Sequence, residues 1–153
     1  AIEVVASGTA IVSLLITLVG LALLGTLFFW RVTGRLNSAN PADIALLAVL
    51  ISIVTSRVLS PQYMVWVFGL LAVSAFKPQQ NFKKISILIC ISAGIGQVIY
   101  PWWYLSLQQG GVHAVAAHAI RILTLLWATS IAWNNLRVVS QKNPSQIAIH
   151  PTS

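Results

Sequence analysis

Five apolar runs, separated by short polar links, organise this chain. The first extends from about Thr9 to Trp30, with no charged residue between Glu3 and Arg31. That length suffices for a helix crossing a hydrocarbon core of about 30 Å. Phe28, Phe29 and Trp30 close it as an interfacial aromatic anchor. The second run, about Ala42 to Leu59, opens on a helix-start signal: Asn40 as N-cap, Pro41 at the first helical position and Asp43 in the first turn. Asp43 there stabilises the helix start through the macrodipole. Pro61 lacks a backbone donor and biases Ser60 away from helix, so the run breaks there. The third run, about Gln62 to Phe76, is short for a crossing. Runs two and three are read as two crossings; the alternatives are one kinked helix or a re-entrant hairpin over 42–76. The fourth runs from about Ile85 to Tyr104, and the fifth from about Val112 to Trp133. From Asn134 onward the chain is polar and reads as a disordered tail.

The expected fold class is therefore all-α: a polytopic transmembrane bundle of about five spanning helices, with a proline-broken polar turn between helices two and three. Residues 1–136 form the membrane region and 137–153 a polar tail. Composition agrees. Hydrophobic residues make up 58% of the chain and charged residues 7%, against roughly 25% charged in soluble domains. Mean hydropathy is +0.86. The chain opens at Ala1 without the basic start and cleavage pattern of a signal peptide. That points to the C-terminal part of a longer protein.

The net charge of +7 does not point to nucleic acid, because the basic residues sit at run ends rather than in a stripe interleaved with aromatics. Arg31 and Arg35 follow the first run, Lys77, Lys83 and Lys84 follow the third, and Arg137 and Lys142 follow the fifth. With five crossings all three groups share one side. The positive-inside rule then puts the N-terminal end outside and the tail in the cytoplasm. The expected location is the plasma membrane of a prokaryote, with membrane lipids as surroundings. Ser60 to Tyr63 fall at the extracytoplasmic face. In the fourth run Ser92 and Gly96 fit a small-xxx-small packing face. Its outer end, Tyr100-Pro101-Trp102-Trp103-Tyr104, reads as an aromatic belt or the flank of a lipid groove. Cys90 reads as a packed thiol.

The chemistry available is narrow. Glu3 and Asp43 are the two carboxylates, and the topology puts them on opposite faces, so no paired-carboxylate site forms from this chain. His113, His118 and His150 lack a second ligand at zinc spacing. No metal and no cofactor are expected. No catalytic residue is assigned within these residues. What stands out is a polar cluster in apolar surroundings: Arg57, Ser60, Gln62 and Tyr63 about the break, with Arg121 and His118 in the fifth run. Intramembrane arginines mark functional sites by default, and a planar guanidinium suits phosphate. An open helix start after Pro61 adds backbone donors. An isoprenoid or glycerolipid phosphate at the outer leaflet fits these groups. The competing reading is that each arginine snorkels to bulk headgroups.

The segment Arg57-Val58-Leu59-Ser60-Pro61-Gln62-Tyr63, followed by Trp66, resembles a motif of the GT-C integral-membrane glycosyltransferases. It is most similar to glycosyltransferase family 87, which includes polyprenyl-phosphate-mannose-dependent mannosyltransferases. Gly69 stands in the region where that family often has a proline. The resemblance implies a hexosyltransferase moving a sugar, mannose first among candidates, from a polyprenyl-phosphate donor to an extracytoplasmic acceptor. It implies that Arg57 holds the departing phosphate and that Gln62 and Tyr63 line the donor headgroup. The catalytic carboxylate would lie in an early outer loop, supplied by the N-terminal part of the same protein. Two other readings stay open: a non-enzymatic flippase or carrier of polyprenyl-linked sugars, and a structural membrane module.

Overall fold

The computed structural model describes residues 9–56 and 62–142. Among them the secondary structure is entirely helical. Helix α1 spans Thr9–Val32, α2 Pro41–Thr55, α3 Tyr63–Ser74 and α4 Phe82–Val98. A π-helical turn follows at Ile99–Trp103, then short α5, Tyr104–Gln108, and long α6, Val112–Lys142.

Local chemistry explains the boundaries. Asn40 has an extended backbone, and its side-chain oxygen accepts the Ala42 N–H at 3.1 Å, with Pro41 next in line. This is the predicted start of α2. Gly34 (φ +75°) turns the link before it, and Gly110 (φ +74°) turns the link into α6. Both occupy left-handed geometry that a side chain disfavours. The fourth apolar run is not one continuous α-helix. Pro101 removes a backbone donor inside it, and the helix widens to a π-turn over Ile99–Trp103.

Helix α2 is the centre of the bundle. It packs on α1, α3 and α6, while α4 packs chiefly on α6. Leu46, Leu47, Leu50 and Ile51 are fully buried, against Val67 of α3 and Leu125 and Ala128 of α6. The helices alternate in direction. The start of α2 meets the end of α3, where the Asp43 carboxyl faces the Ser74 hydroxyl. Neither Asp43 Oδ1 nor Ser74 Oγ completes a hydrogen bond among the described residues. Trp30 at the end of α1 stacks on Trp133 of α6 with ring centroids 5.1 Å apart. Asn135 Nδ2 donates to the Gln79 side chain at 3.0 Å and also to the Gln80 carbonyl, joining the end of α6 to the α3–α4 link. Thus α2 and α3 form an antiparallel hairpin, which rules out one kinked helix over 42–76. The three basic regions gather at one end.

The expected tail from Asn134 is corrected as far as Lys142, and its remainder, 143–153, lies outside the described residues. Helix α6 continues without Gly or Pro to Lys142, so the boundary expected between 136 and 137 falls inside a helix. Ala128, Ala132, Leu136 and Ser140 recur every fourth residue and are all buried. That stripe holds polar Asn134 and Asn135 in a helix that composition alone marks as loop. Cys90 is also corrected: it is exposed on the outer face of α4, while Ile85, Ile89, Ser92 and Gly96 form the buried face.

Among the described residues two helices, Ile11–Val32 and Val112–Lys142, are long and apolar enough to cross a membrane. Helix α1 exposes Ile11, Leu14, Leu15, Leu21, Phe28 and Phe29. Burying one such side chain is worth about 1.5–3 kcal/mol. A face this apolar is stable against lipid or protein, and costly against water.

Candidate functional site

Arg57 and Ser60, expected to hold a phosphate, lie outside the described residues, as does Pro61. The groups flanking them are placed. Gln62 precedes α3 with helical backbone and no side-chain cap. The first N–H groups of α3 are therefore not capped by that amide. Gln62 is exposed. Tyr63 is half-buried against the core, with its ring edge-on to Trp66 at 6.5 Å. Trp66 itself is exposed. So the start of α3 presents an amide, a phenol and an indole, and the Gln62 side chain does not cap it.

Arg121 and His118 sit at the same end of the bundle, where α6 begins and α4 finishes. Counting from Val112, Arg121 lies about 14 Å along the helix. It is only 3% exposed. Its guanidinium rests over Gly96 of α4: a Cβ added at Gly96 would stand 3.1 Å from Arg121 Cζ and 3.2 Å from Nε. The absent side chain makes the seat. Ser92, one turn earlier on α4, donates to the Arg121 carbonyl at 3.4 Å, and Thr124 donates to it at 2.9 Å. The snorkelling alternative is therefore corrected for Arg121, whose head is packed between helices. His118, one turn before Arg121, is half-buried, and its Nδ1 is enclosed without a hydrogen-bond partner among the described residues.

Four of the six expected phosphate-site residues are described, and they form two groups. Gln62 and Tyr63 belong to α3, which packs chiefly on α2. His118 and Arg121 belong to the α4–α6 seam. The Ser92–Gly96 face was legible as close helix packing; that Gly96 also seats a guanidinium was not. A small-xxx-small spacing and a buried arginine on another helix carry no sequence signal of their pairing.

The aromatic segment after α4 is exposed at Tyr100, Trp102, Trp103 and Tyr104, and the two tyrosine rings lie 5.5 Å apart. It flanks the end of the bundle that holds Arg121.

The opposite end carries a feature with no counterpart in the sequence reading. A half-open cleft of about 570 Å³ is lined by residues 37–41, Asp43, Lys77, Gln79, Gln80 and the last turns of α6, including Asn135 and Lys142. Asp43 is 4% exposed within it. Its sequence signals were read singly, as a cap, a first-turn acid and a loop lysine; only the fold brings them together. No family model, curated protein or solved structure matches this chain, so its function is read from these residues and their geometry.

Proposed function

We propose that this chain is the C-terminal transmembrane part of a GT-C, family-87-like glycosyltransferase. It binds a polyprenyl-phosphate-sugar donor, with mannose as the first candidate sugar, on the extracytoplasmic side. The motif Arg57-Val58-Leu59-Ser60-Pro61-Gln62-Tyr63 carries this reading. Supporting it, the residues flanking the motif share one end of the bundle with Arg121 and His118, away from the basic links.

In this reading the chain crosses the membrane about five times, with the basic end cytoplasmic. Helices α2 and α3, of 15 and 12 residues, reach only about 22 and 18 Å. Both are shorter than a hydrocarbon core of about 30 Å, so in this reading their connection is recessed below the outer headgroups and the donor phosphate is drawn down to it. Arg57 neutralises the charge that develops on the departing phosphate. Gln62, Tyr63 and the open start of α3 hold its remaining oxygens. Ser60 contributes its hydroxyl to the same pocket. Arg121 and His118 add positive potential and a ring nitrogen from the neighbouring seam. The nucleophile-activating carboxylate comes from the N-terminal part of the protein.

Two observations test this. The full gene product should carry an Asp or Glu in an early outer loop after its first transmembrane helix; a full product without one leaves the carrier reading in its place. A cysteine at Gln109, in a Cys90→Ser background, should react with an impermeant thiol reagent from outside intact cells. Labelling only after permeabilisation would overturn the topology.

A further inference from the structure

The basic end of the bundle has no exposed acid to balance it. All the described lysines and arginines except Arg121 are exposed and gather at that end, seven side chains in number. Of the two carboxylates in the chain, Glu3 lies outside the described residues and Asp43 is 4% exposed. Two of the cations are placed against helix stability. Lys83 and Lys84 stand in the first turn of α4, with no acidic residue beside them, where positive charge opposes the macrodipole. The field at this end therefore calls for anions from outside the chain. The half-open cleft brings part of that field onto one concavity. Lys77 and Lys142 line it, together with the exposed amides and hydroxyl of Asn37, Gln80 and Ser38. Val138 lines it too and is 47% exposed. Cations, neutral donors and an exposed apolar wall together suit an amphiphile with an anionic head.

We infer that this cleft holds a phospholipid of net negative charge, with its headgroup on Lys77 and Lys142 and the start of an acyl chain against Val138. Basic pockets between transmembrane helices at the cytoplasmic face take anionic headgroups in this way. A zwitterionic lipid fits poorly, because its ammonium would enter a field of seven cations with no exposed carboxylate to receive it. The volume of about 570 Å³ lies within the usual range of small-ligand sites, about 300–1,000 Å³, and so admits a headgroup. The depth agrees. Exposed Phe76 directly precedes Lys77, and the stacked Trp30 and Trp133 lie at this end, as aromatic side chains do at a headgroup boundary. The inference rests on the membrane-spanning reading with its basic end cytoplasmic, and not on sugar transfer.

The full gene product would be placed in nanodiscs of equal phosphatidylglycerol and phosphatidylcholine, and its retained lipids counted by native mass spectrometry. The wild type should retain the anionic lipid over the choline lipid by about 25-fold, two cations at about fivefold each. Lys77→Gln should lower that ratio to about fivefold, and Lys77→Gln with Lys142→Gln should bring it to about one. Both side chains are exposed, so these variants should fold. Lys77→Arg should keep the ratio, because the charge is retained. Arg137 shares this end but does not line the cleft. Arg137→Gln should therefore change the ratio by less than about twofold in salt that screens a diffuse field. Equal retention of the two lipids by the wild type overturns the proposal. So does a loss in Arg137→Gln as large as that in Lys77→Gln, which would mean a diffuse basic surface without a seat. Sugar transfer is measured on the same preparations: transfer that persists without lipid selectivity removes this site and leaves the proposed function standing.

Discussion

Replacing Arg57 by alanine in the full gene product should cut sugar transfer by about 100- to 1,000-fold, the usual cost of removing one group that stabilises transition-state charge. Membrane insertion and yield should not change, because the proposed role assigns this side chain to the donor phosphate and not to packing between helices. In the proposed reaction the departing polyprenyl phosphate gains negative charge as the glycosidic bond breaks. Arg57 would then matter more at that moment than in the bound donor, so the loss should fall on kcat more than on KM. Arg57→Lys should recover only part of the rate, since an ammonium cannot donate two parallel hydrogen bonds to one phosphate. Unchanged turnover in Arg57→Ala would remove this residue from the mechanism. A loss of expression instead would assign it to folding.

The second large effect concerns the α4–α6 seam. Gly96→Val should destabilise the protein by about 1–3 kcal/mol, the ordinary cost of overpacking a filled core. The reason is geometric: the new Cβ would stand 3.1 to 3.3 Å from three atoms of the Arg121 guanidinium. Arg121→Ala should also destabilise, by roughly 2–5 kcal/mol, because it empties a buried volume. The combination is the informative variant. With the guanidinium gone, valine fills part of the space it left, and the double variant should be more stable than the two single losses added together. A coupling of about 0.5–3 kcal/mol in a double-mutant cycle, measured by unfolding in detergent, is expected for residues in contact. Additive losses would mean that Arg121 and Gly96 do not touch.

How far the residues foretold this architecture depends on how local their signals are. Asn40, Pro41 and Asp43 marked the start of α2 because capping is decided within four residues, and the cap hydrogen bond is present at 3.1 Å. The grouping of the basic links at one end followed from counting runs, and the contacts of Trp30 with Trp133 and of Gln79 with Asn135 bear it out. The end of α6 was missed because Asn134 and Asn135 read as loop residues. Their helix is maintained by the buried stripe through Leu136 and Ser140, which is a tertiary effect. Cys90 was missed for a related reason: in a chain apolar on every side, hydropathy does not tell the inward face of α4 from the outward one. Both polar sites show the same limit. Arg121 and Gly96 are 25 positions apart, and the cleft joins three separate stretches of chain.

The central claim is that the protein transfers a sugar from a polyprenyl phosphate, rather than carrying the lipid across the membrane. The most direct measurement uses the full gene product in liposomes with polyprenyl-phosphate mannose radiolabelled in the sugar, plus an acceptor extract from the outer face. Transfer predicts label moving from the lipid to a product of different mobility, with free polyprenyl phosphate released in equal amount. Label that stays on the lipid, with the lipid redistributed between leaflets, would contradict it.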